Sequence, residues 1–288
     1  MVNDIDERLK QNEWLYLLNK YPNVAFNGSN FNETVNSKDR GFDHLYIAEP
    51  RTNFKLQWTS EFIKQYDNVM TYNSKFLEDN KTITNMHLVN GCISCNSYYE
   101  LESFKTYEEK INGILALNKY YTYLTGPGVI LEDRKQFMVD VYNDGRLESH
   151  IWAPESWGSP IENCYKGYVS QCYNHTENLK KINEYKFSLC FESTYHPYWS
   201  WGFITERILN AFRSKTVGIY WGCYNIQDFI PTDLFIDYRK FDNNKGVVDK
   251  LIGMTKNEYE DITERAYDWV KSSRIGNIED IENLINTF

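Results

Sequence analysis

The chain reads as an α/β protein of two domains. Short apolar runs alternate with longer amphipathic stretches, which is the pattern of βα units rather than of a sandwich or a helical bundle. Its 288 residues suit two domains of ordinary size. With 42% hydrophobic and 25% charged residues, there is apolar material for a sizeable core and no charge excess of the kind that keeps a chain disordered.

In the first half the alternation predicts strands at 23–26, 44–48, 68–72 and 83–89. Helices are predicted over 58–65 and 107–117, where apolar residues recur every three to four positions. A second series opens with a strand at 120–124 and a turn at Gly126-Pro127-Gly128. A helix over 133–143 follows, with Asp133 as its cap. This restart places the domain boundary near 118 and gives domains 1–118 and 119–288. Residues 153–174, which include Pro154, Gly158, Pro160 and Gly167, read as irregular. Then come a buried strand at 185–191, a helix over 203–212 and strands at 216–221 and 234–237. A last helix over 256–271 places Tyr259, Ile262, Ala266 and Trp269 on one face.

The net charge of −9 argues against non-specific attraction to nucleic acid or an anionic membrane, which depends on Lys and Arg neutralising phosphates. It leaves room for a local basic pocket. Cysteines 92, 95, 164, 172, 190 and 223 are too sparse for a disulfide-stapled secreted domain, and several lie in apolar runs where a thiol packs well. The N-terminus is acidic, and no run approaches the roughly 18 apolar residues of a membrane helix. These features predict a cytoplasmic protein with no signal peptide or membrane span. The 16% of aromatic residues suit stacking on sugars and bases and serve equally as core filling.

The strongest local signal is YKFSLCFEST at 185–194, followed by GFITERILNAFRSKTVGIYWGCYNIQDFIPTDLFIDYRKF at 202–241. This block resembles the donor-binding motif of the α-1,3-fucosyltransferase family, glycosyltransferase family 10. That motif runs from a strand ending in FxxxFENS through a (Y/F)xTEK helix start to a strand ending in P(I/V)xxG. LYIAEPRTNF at 45–54, VNGCIS at 89–94 and GPGVILEDRKQF at 126–137 extend the resemblance across roughly residues 44–245. The resemblance implies a GT-B fold, two Rossmann-like domains facing a cleft. It also implies an inverting, metal-independent reaction with GDP-fucose as the favoured donor.

A departing nucleoside diphosphate develops negative charge, which an enzyme without a metal must meet with cations and helix N-terminal amides. The resemblance puts Arg134 and Arg207 on the pyrophosphate. Arg207 stands where the family usually has lysine, so a planar fork replaces a point charge. The alternative for each arginine is a helix-surface residue paired with a carboxylate.

Inversion needs a base to take the acceptor proton, and Glu49 matches the family's proposed base. Its place at the end of the 44–48 strand supports this independently, because ligands bind beyond strand C-termini in open α/β sheets. The alternatives are a solvated loop glutamate or a partner of the adjacent Arg51. Glu206 matches the glutamate that holds donor hydroxyls; otherwise it is a helix-start carboxylate favoured by the dipole. Glu192 and Ser193 occupy the Glu-Asn positions, and Ser193 offers a shorter hydroxyl in place of an amide. Phe203 stands where a ring packs near the donor or else fills the core, and Gly222 lets backbone approach a ligand or makes a plain turn.

Competing motifs are weak. Asp4-Ile5-Asp6 is a DxD at a polar terminus rather than after a central strand, and Cys92 and Cys95 form a CxxC with no second pair. No metal site is assigned, and the donor is a co-substrate with no further cofactor. The insertion YHPYWSW at 195–201 either walls the sugar pocket or packs on its own rings. The function expected is fucosyl transfer from GDP-fucose to a glycan hydroxyl. One alternative uses an arabinosyl or glucosyl nucleotide on a glycan or on a hydroxymethylated base of viral DNA. The Asn-, Lys- and Tyr-rich composition, like that of AT-rich bacteria and viruses, keeps this open, while the net charge disfavours a nucleic-acid acceptor. A second alternative is a catalytically silent sugar-nucleotide-binding protein, suggested by the departures at Ser193, Phe203 and Arg207.

Overall fold

The computed structural model describes residues 17, 19–26, 41–50, 55–91, 100–120, 124–169 and 175–288. Two parallel sheets organise them. The first runs in sequential order β1 (Val24–Phe26), β2 (His44–Ile47), β3 (Asn68–Thr71), β4 (Asn85–Leu88). Helices α1 (Ser60–Ile63) and α2 (Ser74–Asn80) make its crossovers. The core of this half gathers around the fully buried Leu45, Tyr46, Ile47, Val69 and Met70.

The second sheet contains β5 (Ile111–Ala116), β6 (Glu148–Trp152), β7 (Tyr165–Gly167), β8 (Tyr185–Phe191), β9 (Val217–Trp221) and β10 (Ile236–Asp237). Its order is β10-β9-β8-β5-β6-β7, all parallel. The direction of winding reverses between β5 and β8, which makes the gap beyond their C-terminal ends a topological switch point, the place where open α/β sheets bind ligands. Helices α3 (Leu131–Asp144), α4 (His175–Asn183), α5 (Glu206–Arg213), α6 (Asn244–Ile252), α7 (Lys256–Ser272) and α8 (Ile278–Ile285) complete the described regular structure.

Four expectations change. Residues 107–117 form a turn and β5 rather than a helix. Ile114, Leu115 and Ala116 are fully buried, as a central parallel strand requires, and a short apolar run of this kind carries no period that separates strand from helix. Gly113 allows the pairing, since a Cβ there would lie 2.6 Å from the Glu148 carbonyl oxygen. The second sheet therefore starts ahead of the expected boundary at 118. The chain also returns: Ile278, Ile281 and Ile285 of α8 join the core of the first sheet.

The helix expected over 58–65 is only a 3₁₀ turn at Leu56–Trp58 followed by α1. The cap of α3 is Ile130, with Asp133 inside the first turn. The stretch expected to be irregular contributes β7 and a 3₁₀ turn at Glu162–Cys164. Residues 121–123 of the expected 120–124 strand lie outside the described residues, as do Asp4, Asp6, Arg51, Cys92 and Cys95. Cys164, Cys190 and Cys223 are free and buried. Among the described residues no helix is long and apolar enough to cross a membrane.

Candidate active site at the switch point

β8 delivers Glu192 one residue beyond its last strand position, and the side chain is completely buried. A carboxylate there needs donors, and α5 supplies them. Thr205, the cap residue of α5, donates its backbone N–H at 3.0 Å and its hydroxyl at 2.9 Å to the Glu192 oxygens. Arg207 Nη1 makes an ion pair with the same group. Burial pushes the Glu192 carboxyl up, against the pull of Arg207 and Thr205.

Arg207 is fixed on three sides. Its Nε donates to Asn118 Oδ1 at 2.8 Å, and Nη1 donates to Thr205 Oγ1 at 2.8 Å as well as to Glu192. Asn118, just beyond β5, is itself anchored by Nδ2 donating to the Leu189 carbonyl and by Trp157 Nε1 donating to its own carbonyl. Burial works against the Arg207 charge, yet Glu192, Glu206 and Glu49 outweigh it and raise its pKa. The guanidinium is thus held charged, and its side chain keeps 24% of its surface open. The same interaction brings Glu49, one residue past the buried Ala48 that follows β2, within electrostatic reach of Arg207 across the two halves.

Asn118, Lys119, Trp152, Tyr168, Glu206 and Arg207 border a cleft at this point. Two cations, two aromatic rings and the start of a helix meet there, an arrangement suited to a nucleoside diphosphate.

The other residues singled out from the sequence sit around this centre in different ways. Arg134 is 1% exposed, and its Nη2 donates to the Phe191 and Glu192 carbonyls at 2.7 and 2.6 Å, so it holds the backbone from which Glu192 projects. Ser193 is buried, and its carbonyl accepts from Ile130 N at 3.2 Å, joining the end of β8 to the start of α3. Phe203 is buried against Tyr72, in the core around the first sheet, at 5.4 Å. A Cβ at Gly222 would stand 2.2 Å from Glu192 Cγ, so the close approach at this glycine is made by Glu192. Residue-type reasoning gave no role to Asn118 or Thr205. Thr205 lies inside the ITER signature, whereas Asn118 has no local signal and is found only through the β5–β8 pairing.

The 195–201 insertion reaches across to α2. Tyr198 OH donates to Asp79 at 2.6 Å, Asn73 Nδ2 to the Tyr198 carbonyl at 2.7 Å, and Trp201 Nε1 to Ser74 Oγ at 3.0 Å. Lys75 Nζ lies 3.7 Å from the centre of the Trp201 ring. Its rings also pack on one another, Tyr198 against Trp199 at 4.5 Å. Among the described residues no group of three or more His, Cys, Asp or Glu is placed to hold a metal ion.

Residues 146–286 match the family model of glycosyltransferase family 10 (fucosyltransferase), C-terminal part. The recognition drawn from residues 185–241 stands, and this half of the chain is a family-10 domain. A stretch of 93 residues is 36% identical to an alpha-(1,3)-fucosyltransferase, FucT, of Helicobacter pylori, covering 31% of this chain and 18% of that protein. Another of 60 residues is 38% identical to an alpha-(1,4)-fucosyltransferase of Arabidopsis thaliana, covering 21% of this chain and 14% of that one. The matched stretches are thus less than a fifth of either relative. The fold is similar to a crystal structure of an alpha1,3-fucosyltransferase with a TM-score of 0.55 at 15% identity, over 91% of this chain and 78% of the other. The fold is GT-B.

Proposed function

We propose that the chain transfers fucose from GDP-fucose to a glycan hydroxyl, with inversion and without a metal. The observation that carries this reading is Arg207, held charged at the start of α5 in the switch-point cleft and within electrostatic reach of Glu49. In the reaction Glu49 takes the proton of the acceptor hydroxyl while the acceptor oxygen bonds to the anomeric carbon. The bond from that carbon to the diphosphate oxygen breaks on the opposite face, and the diphosphate leaves with the electron pair.

Arg207 and the first amides of α5 meet the charge that develops on the diphosphate. Arg134 adds a second positive charge from beneath the 191–192 backbone. Glu206 holds donor hydroxyls, and Ser193, Phe203 and Gly222 shape the donor end of the site. Glu192 acts indirectly, by aiming the Arg207 fork. Both curated relatives are named as fucosyltransferases, which supports a fucosyl donor; their linkages differ, so the matched segment leaves the acceptor position open. The buried free thiols of Cys164, Cys190 and Cys223 suit a cytoplasmic location.

A thermal-shift series with GDP, GDP-fucose, UDP and UDP-sugars tests the donor. GDP at a hundred times its Kd adds about 2.7 kcal/mol to stability. Stabilisation by UDP alone overturns the fucosyl reading in favour of another nucleotide sugar, and sustained GDP release with a glycan excludes a silent binder. EDTA leaves turnover unchanged; a loss restored by Mn²⁺ refutes the metal-independent mechanism.

A further inference from the structure

Glu49 follows β2 in the segment Ala48-Glu49-Pro50, where both neighbours are buried. Its carbonyl accepts a 3.3 Å hydrogen bond from Trp58 Nε1. The Trp58 indole is buried and meets three rings: Phe76 at 4.8 Å, Tyr72 at 5.8 Å and Trp199 at 5.8 Å, the last edge-on at 74°. Phe76 and Tyr72 belong to the same domain as Glu49. Trp199 comes from the 195–201 insertion of the other.

Trp199 is itself firmly placed. The turn that carries it closes on His196, whose Nδ1 accepts from the backbone N–H groups of Tyr198 and Trp199 at 3.1 and 3.3 Å. The bonds from Tyr198 to Asp79 and Asn73 then fasten this turn to α2.

We propose that Trp58 and Trp199 are a positioning pair through which the insertion of the donor domain sets the backbone of Glu49. This rests on reading Glu49 as the base. A general base works only within a narrow range of position, and a misplacement of about 1 Å can lower a rate about a hundredfold. Glu49 and the donor-binding residues stand on different domains, so their separation depends on how those domains are registered. The Trp199–Trp58 contact takes its reference from the donor domain and ends on the base, which keeps acceptor activation in step with donor position.

The test is steady-state turnover of GDP-fucose, with water and with a panel of free oligosaccharides as acceptors, alongside calorimetric titration with GDP. Trp58→Phe removes the indole N–H and keeps a ring; Trp199→Leu removes the contact from the other side on a partly exposed loop. Each lowers kcat at least about tenfold and leaves the GDP Kd within twofold. In a Glu49→Gln background neither substitution lowers kcat further, because the group being aimed is already lost. Wild-type kcat in both variants, or losses that add to that of Glu49→Gln, overturns the positioning role while the base remains. A wild-type chain that turns over no GDP-fucose, or Glu49→Gln with full turnover, removes the base reading and this inference with it.

Discussion

Lys110 is 5% exposed at the turn that opens β5, and its Nζ reaches four neutral oxygens. Nζ donates to the Asn183 carbonyl at 2.8 Å, Asn183 Oδ1 at 3.0 Å, Thr216 Oγ1 at 3.2 Å and the Ser214 carbonyl at 3.4 Å. Burial, with a smaller contribution from Lys105, lowers its pKa from 10.5 to about 7. A lysine depressed in the folded state contributes stability that is complete above the unfolded pKa. As pH falls from about 10.5 to about 7, the unfolded chain binds a proton that the folded one does not, and that stability is lost. Urea denaturation of the wild type and Lys110→Met across this range should therefore show the wild type losing ground to the variant as pH falls. A difference that stays constant from pH 10 to 7 means that the ring of oxygens keeps Lys110 charged. At this scale the sequence was partly legible. Glu49, Glu206 and Arg207 were singled out by residue type and motif, whereas the support for Arg207 from Asn118 depends on the β5–β8 pairing, which sets Asn118 beside Leu189, 71 positions further along the chain.

Among elements, the β8–α5–β9 unit was the most legible because its signals agree. A buried apolar run is followed by a polar cap position, then by a helix whose Ile208, Leu209, Ala211 and Phe212 are buried, then by another apolar run. The 256–271 helix was legible from its period, and α7 buries Tyr259, Ile262, Ala266 and Val270 along one side. β5 was not, since Ile114, Leu115 and Ala116 are apolar on both faces and a strand buried on both faces does not alternate. The start of α5 also departs from ordinary capping. The Thr205 side chain makes no cap bond to its own helix and donates to Glu192 instead. Thr205→Ser keeps that hydroxyl and should bind GDP like the wild type. Thr205→Val keeps the shape, loses the hydroxyl that both Glu192 and Arg207 engage, and should weaken GDP binding about tenfold, or about 1.4 kcal/mol. Calorimetric titration checks this, and equal affinity for Val and Ser variants would remove Thr205 from the site's support.

At the scale of the molecule, two sheets with separate cores are joined by a few identifiable ties. Phe203 packs into the first core beside Tyr72, the 195–201 insertion is bonded to α2, and α8 crosses from the second half onto the first. The third tie buries three isoleucines. Ile278, Ile281 and Ile285 are 1%, 2% and 6% exposed, while Tyr21 donates to Asn286 and Lys20 pairs with Glu282 along the flank. Ile281→Ala should cost about 2–5 kcal/mol, the range for truncating a buried isoleucine. The cost falls on the first sheet, because the side chain belongs to that core although it is carried by the C-terminal end of the chain. GDP is expected at the second sheet, so it should stabilise that half directly and the first only through these ties. Calorimetric scans of the wild type should give one transition that GDP raises. In the double variant Ile281→Ala, Ile285→Ala the first half should melt earlier as a separate transition that GDP leaves unmoved, with the upper transition still raised. A single transition in the double variant, raised by GDP to the wild-type extent, means that Phe203 and the insertion couple the halves without α8.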